Sequence, residues 1–154
     1  MEFTKCPDVR LADLDDLPSL MSITRTACEE DGQHSYDPEK VLNMLRRYFD
    51  KSGGLVAVIG EKGEPLKGYL IMIIDEVWYS RETQLLELSL FVHPDHRKST
   101  YARQLMEFSK QASNGLKMDL TIGVLSTSRT EAKVRLYQRQ FPQAGCYFVY
   151  RPQA

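Results

Sequence analysis

Eleven consecutive positions of this 154-residue chain hold two histidines, an aspartate, three basic residues and two aliphatic hydroxyls: His93-Pro94-Asp95-His96-Arg97-Lys98-Ser99-Thr100-Tyr101-Ala102-Arg103. An apolar, strand-like run, LELSLFV from Leu86 to Val92, leads into this segment, and an amphipathic helical pattern leads out of it to Phe108. A helix start leaves its first N–H groups unpaired and partly positive, and Arg97, Lys98 and Arg103 surround that start with full charges. The chemistry this suits is the binding of an anion, above all a phosphorylated molecule. His93, Asp95 and His96 raise a metal as the alternative. Pro94 forces a turn among them and no further Cys or His stands at ligand spacing, so no metal site is expected. Cys6, Cys28 and Cys146 are odd in number and form no CxxC pair, which fits reduced packing thiols.

The elements that must position this segment can be read from periodicity. Residues 3–12 form a strand interrupted by Pro7, hence at an edge. Leu14, Leu17, Leu20, Met21, Thr24, Ala27 and Cys28 recur at helical spacing, with Asp13, Asp15 or Asp16 as cap and Pro18 in the first turn. A loop, CEEDGQHSYD, precedes a second helix begun by Asp37-Pro38. Its face carries Val41, Leu42, Leu45, Tyr48 and Phe49, and Ser52-Gly53-Gly54 stops it. Residues 55–59 and 66–74 are β-rich and joined by a turn-forming hexad at 60–65, which predicts an antiparallel hairpin. Strands at 84–92, 118–125 and 146–150 and helices at 100–113 and 130–140 complete the order, with Asn114-Gly115 ending the first of these helices. The fold class is therefore α/β, β-α-α-β-β-β-α-β-α-β, with a central mixed, mostly antiparallel sheet flanked by helices.

Composition narrows the function. A chain that is 42% hydrophobic can build one good core at this length, so a single domain over 1–154 is expected. No run reaches the roughly 18 apolar residues of a membrane span, and Glu2, Lys5, Asp8 and Arg10 break any signal-peptide core, so a cytoplasmic protein without membrane contact is expected. Charge is unevenly spread. Residues 1–50 hold six Lys/Arg against eleven Asp/Glu, 51–87 hold four against six, and 88–154 hold ten against four, giving −5, −2 and +6 for a net −1. An acidic front and a basic back suit a protein that brings a cationic group to an anionic one. A nucleic-acid binder is disfavoured, since the basic residues are scattered and the total is near neutral.

The order of elements resembles the GNAT superfamily of N-acetyltransferases. Phe91-Val92-His93-Pro94-Asp95-His96-Arg97 is similar to that family's strand-end signature, and Leu136-Tyr137 followed by Phe141 is similar to its Leu-Tyr…Gly-Phe segment. The resemblance implies acetyl-CoA as co-substrate and direct transfer of its acetyl group to a primary amine in a ternary complex. Such a reaction needs a neutral amine, a stabilised oxyanion and a proton for the departing thiolate. On the family's pattern, Glu87 is the general base and Tyr137 the general acid. Backbone groups of Leu90, Phe91 and Val92 would meet the pantetheine arm and acetyl carbonyl, and Arg97, Lys98, Ser99, Thr100, Tyr101, Ala102 and Arg103 would form the diphosphate loop. Glu29, Glu30 and Asp31 stand where the family shapes its acceptor pocket, which permits a cationic amine such as a polyamine, a lysine side chain or an aminoglycoside. His34 could line the same pocket.

Two departures qualify the resemblance. The family's loop reads Gln/Arg-x-x-Gly-x-Gly/Ala, and here Thr100 stands where the middle glycine belongs. Glycine lets backbone amides approach phosphate closely, whereas Thr100 adds a β-branch and a hydroxyl able to donate to a phosphate or cap the helix. The chain after Phe141 is also short, with room for one strand, and a partner subunit completing the sheet edge of a homodimer is one solution. A catalytically degenerate domain acting as a binding or regulatory module is the alternative function.

Overall fold

The computed structural model describes residues 5–50 and 53–153. The chain forms two compact units, Met1–Ile122 and Gly123–Ala154. In the first, strand β1 (Val9–Leu11) is followed by a 3₁₀ turn (Leu14–Asp16) and helices α1 (Leu17–Asp31) and α2 (Pro38–Phe49). Strands β2 (Gly54–Ile59), β3 (Gly68–Glu76) and β4 (Thr83–Val92) come next, then helix α3 (Tyr101–Leu116) and strand β5 (Asp119–Thr121). The strands lie in sequence order, β1 to β4 antiparallel and β5 parallel to β4. This is the expected mixed, mostly antiparallel sheet.

Local chemistry explains most element ends. Asp13 caps the 3₁₀ turn by accepting from the Asp15 amide at 3.0 Å, and Asp16 accepts in return from the Asp13 amide at 3.0 Å. Arg10 grips the buried Asp16 carboxylate with two bonds of 2.7 and 2.6 Å, which ties β1 to the start of α1. Pro18 sits in the first turn of α1, and Gly32 ends that helix at φ +66° with its N–H on Cys28 O. Asp37 caps α2 through the Lys40 amide.

The sheet is covered on both faces, so its central strands read as nearly continuous apolar runs. Val56, Val58, Tyr69 and Ile71 pack with Leu20, Ile23 and Leu45 under α1 and α2. Ala57, Ile59, Leu70, Met72, Leu85 and Val92 pack with Leu105, Phe108 and Ala112 of α3.

Four expectations are corrected. β1 spans three residues and begins after Pro7, with Cys6 already buried in a turn; residues 3 and 4 of the expected strand lie outside the described residues, as does Ser52 of the expected stop after α2. α3 runs through Asn114 and Gly115 to Leu116, and Lys117 takes the left-handed capping conformation at φ +55°. The Ser113 hydroxyl bonds Met118 O at 2.6 Å while Ser113 O accepts the Met118 amide, so the anchoring of Met118 against the core outweighs the glycine's helix penalty of roughly 1 kcal/mol. β5 stops at Thr121 rather than reaching residue 125. Residues 146–150 form no strand. In the second unit, helix α4 (Thr130–Gln138) is the one regular element among the described residues, and a β-prone segment without a neighbouring strand has no ladder to join.

Candidate active site

Strand β4 carries the first part of the site. β5 pairs with it only at Gln84, Leu85 and Leu86, so from Glu87 to Val92 no strand lies on that side of β4 among the described residues. β4 also contains a bulge: Ile71 lies opposite Ser89 and Met72 opposite Glu87, leaving Leu88 as the extra residue. A bulge resets the alternation of side chains. Leu85 and Glu87 share the α3 side of the sheet with Met72, and beyond the bulge Leu90 and Val92 occupy that side. Ser89 and Phe91 are thereby moved to the α1/α2 side, with Tyr69 and Ile71.

Ser89 and Tyr69 meet there, their hydroxyl oxygens 3.0 Å apart. Burial drives the Tyr69 phenol strongly upward from its ordinary pKa, the bond to Ser89 opposes this, and charges on Cys28, Tyr36 and Glu87 add to the rise. The phenol therefore stays protonated. It shares one hydrogen bond with Ser89 Oγ, in which either hydroxyl can donate. The nearby Tyr36 hydroxyl bonds Thr24 at 3.0 Å and the Met21 carbonyl at 3.1 Å, and its ring lies beneath Arg25 at 5.0 Å. Nothing in the sequence singled out Tyr69 or Ser89, because the bulge that joins them has no signature in LELSLFV.

The loop after β4 is tightly held. His93 Nδ1 accepts from the Asp95 amide at 3.3 Å, and residues Pro94–His96 form a 3₁₀ turn. Arg97 donates through Nε to Val92 O at 3.3 Å, lies over the Phe91 ring at 5.5 Å and pairs with Glu30 of α1 at 2.5 Å. Its guanidinium thus ties the loop to α1, and Glu30, expected as an acceptor-pocket carboxylate, is its partner. Lys98, Thr100 and Arg103 are exposed. The amides of Ala102 and Arg103 have no acceptor among the described residues, as expected at a helix start. Free amides, two exposed cations and an unpartnered strand edge fit an elongated molecule with an anionic end.

Tyr137 lies in the last turn of α4 in the second unit, half-buried, with its ring 6.4 Å from that of Phe141. Its carbonyl accepts the Gln140 and Phe141 amides at 2.9 Å each, which places Phe141 one turn on from Tyr137. His34 lies in the loop between α1 and α2, and Asp31 accepts from the Gln33 side chain at 2.9 Å.

A mixed, mostly antiparallel sheet flanked by helices, with one edge of β4 open among the described residues from Glu87 to Val92, defines the class of α/β fold. The acetyltransferase (GNAT) domain matches residues 52–140, and the chain belongs to the GNAT family of acetyltransferases, which makes it an N-acetyltransferase. No curated protein sequence matches the chain. Among solved structures, an integron cassette protein from the mobile metagenome of Cole Harbour Salt Marsh, HFX_CASS3, is similar at TM-score 0.76 and 19% identity, covering 100% of this chain and 96% of that one. An aminoglycoside acetyltransferase from an uncultured soil metagenomic sample, HMB0005, is similar at TM-score 0.71 and 15% identity, with 96% and 98% of the two chains covered. AAC(6')-Iy, solved with the bisubstrate analog CoA-S-monomethyl-acetylneamine, has TM-score 0.72 and 14% identity, again with 96% and 98% covered. At these identities the likeness is one of fold.

Proposed function

We propose that this chain transfers the acetyl group of acetyl-CoA to a primary amine by direct attack within a ternary complex. The observation that carries the reading is the stretch of β4 from Glu87 to Val92, which pairs with β3 on one side, has no strand on the other among the described residues, and leads through the loop at 93–100 to the start of α3. Backbone groups of Leu90, Phe91 and Val92 are there to hold the pantetheine arm and the thioester carbonyl, and the loop from Arg97 to Arg103 receives the diphosphate. A bound thioester supplies an acyl group whose carbon is open to attack. Glu87 accepts the proton of the acceptor ammonium, directly or through one water, and so exposes the nitrogen lone pair. Tyr137 donates its phenolic proton to the departing thiolate.

The acceptor in this reading is cationic. Residues 1–87 sum to −7 and residues 88–154 to +6, which suits an amine delivered to the acidic part and an anionic acyl donor to the basic part. The aminoglycoside acetyltransferases among the structural neighbours agree with an aminoglycoside-like polyamine. The family match spans both units, which supports one GNAT domain over 1–154. The same reading includes work in the cytoplasm and association as a homodimer. No helix among the described residues is long and apolar enough to cross a membrane.

The test is release of free CoA thiol from acetyl-CoA in the presence of neamine, spermidine or an unblocked peptide, with mass spectrometry of the amine and sedimentation of the protein. Amine-dependent thiol release with one acetyl group added to the amine is expected. Thiol release at the uncatalysed rate with every amine would leave the degenerate binding module as the function.

A further inference from the structure

On the α1/α2 side of the sheet stand the hydroxyls of Thr24, Tyr36, Tyr69 and Ser89, and their hydrogen bonds separate them into two kinds. Thr24 Oγ1 donates to the Leu20 carbonyl at 2.7 Å and meets the Tyr36 hydroxyl at 3.0 Å, while that phenol also reaches the Met21 carbonyl at 3.1 Å. These two are committed to α1 and the loop after it. Ser89 Oγ has one bond, to Tyr69. A serine hydroxyl holds one donor and two lone pairs, so whichever oxygen donates in that bond, Ser89 Oγ keeps at least one lone pair for a third group.

Position directs that capacity outward. Tyr69 is only 2% exposed, packs with Ile71 and has its ring 6.0 Å from that of Phe91, so its phenol offers Ser89 a fixed partner. Ser89 is half-buried, and it belongs to the stretch of β4 with no strand on its outer side among the described residues. The bulge at Leu88 is what puts it there. Without the extra residue, regular alternation would carry the α3-facing set of Leu85 and Glu87 on to Ser89 and take its hydroxyl away from Tyr69.

We propose that Ser89 is an acceptor-binding residue whose Oγ, held in place by Tyr69, accepts one N–H of the amine to be acetylated. This rests on the acyl-transfer reading of the open β4 edge, where the backbone from Leu90 onward holds the thioester. A neutral primary amine has two N–H donors and one lone pair. Fixing one N–H on Ser89 stops rotation about the C–N bond and turns the lone pair toward the acyl carbon. Ser89 gives up no proton, and the proton lost from the ammonium still passes to Glu87. Tyr69 touches no substrate and is a positioning residue.

The experiment is steady-state kinetics of thiol release with neamine, spermidine and an unblocked peptide, alongside calorimetry with CoA and urea unfolding. The proteins are the wild type, Ser89→Ala, Ser89→Thr, Tyr69→Phe and the double variant Ser89→Ala/Tyr69→Phe. Loss of one hydrogen bond to the amine predicts kcat/KM for the amine lower by about tenfold in Ser89→Ala at unchanged CoA affinity, and within about threefold of wild type in Ser89→Thr. Ser89→Ala also leaves the Tyr69 phenol buried without its partner, and the double variant removes that oxygen too. The double variant should therefore regain urea midpoint relative to Ser89→Ala while its kcat/KM stays about tenfold down, and it carries the test if Ser89→Ala does not fold. Tyr69→Phe should lower kcat/KM by about threefold in the wild type and by nothing further beside Ser89→Ala. Wild-type kcat/KM in Ser89→Ala, or its recovery in the double variant, would overturn the proposal by making the pair purely structural. Independent, multiplying losses from the two substitutions would overturn the role of Tyr69 through Ser89. No amine-dependent thiol release by the wild type would instead overturn the functional reading, and the proposal with it.

Discussion

Single side chains decide the chemistry, and two of them carry the proton transfers proposed for the reaction. Glu87 is half-buried on β4 beside the bulge, and replacing it with glutamine keeps its shape while removing its basicity. Glu87→Gln is expected to lower kcat by roughly 10²- to 10⁴-fold at neutral pH, with CoA affinity measured by calorimetry unchanged. Tyr137→Phe removes only the phenolic oxygen. A general acid acts on the leaving thiolate, so kcat should fall by at least about tenfold with acetyl-CoA, again at constant CoA affinity. A loss of CoA binding in either variant would mean that the side chain holds the site rather than moving a proton. Arg97 illustrates the opposite case, a residue typical of a phosphate contact whose guanidinium is already paired with Glu30 at 2.5 Å.

At the scale of elements, the bond between β1 and the turn before α1 matters most. Asp16 is 1% exposed and receives two guanidinium bonds and one backbone amide, while Arg10 also donates to Gly60 O at 2.9 Å in the β2–β3 connection. One carboxylate thus holds an edge strand, a helix entry and a hairpin together. Asp16→Ala would strand the partly buried Arg10 charge and open the capping box. The expected cost is about 3 kcal/mol, the low end for breaking a buried pair because Arg10 keeps some contact with water, read as a lower urea midpoint at unchanged slope. The bulge in β4 is the other decisive local feature. It lets one strand present apolar residues to α3 on both sides of Leu88 and places Ser89 against Tyr69.

For the molecule as a whole, burial of proton-bearing groups sets how stability varies with pH. Burial, and then the charge of Glu107, pushes the Cys6 thiol above its ordinary value of 9.0, and burial pushes the Tyr69 phenol above 10.0. A raised folded pKa means that the native state holds the proton more tightly than the unfolded chain. That contribution is complete below the unfolded pKa and is lost as pH rises through the folded one. The urea midpoint should therefore hold level on this account from pH 7 to about 8.5 and decline above about 9, where the unfolded thiol ionises. Cys6→Ala should show a shallower decline between about pH 9 and 10. Parallel slopes in the two proteins would remove Cys6 from this account.

Much of the molecule was legible along the chain because the signals involved are local. Asp13 and Asp37 act on groups within three residues of themselves, so caps and helix starts could be read directly, whereas the loop expected from Cys28 onward is helical as far as Asp31, where Gly32 caps α1. The apolar runs of β2 and β3 and the turn residues between them announced the hairpin, and the pattern around residues 86–108 announced the passage from β4 through a turn into α3. What the chain could not show were features that depend on distant partners. The bulge at Leu88 arises from pairing with β3, and the hydrogen bond from the Gln104 side chain to Asp8 joins residues 96 positions apart. The Arg97–Glu30 pair spans 67. The tail at 146–150 has the composition of a strand, but a strand is defined by its neighbour. By itself the sequence determined which segments could be helices or strands and where positive charge gathers beside the start of α3, since propensity, capping and charge patterning act over a few residues. The tertiary structure decided which side chains face one another there, because register and hydrogen-bond satisfaction are set only when the strands and α3 pack together.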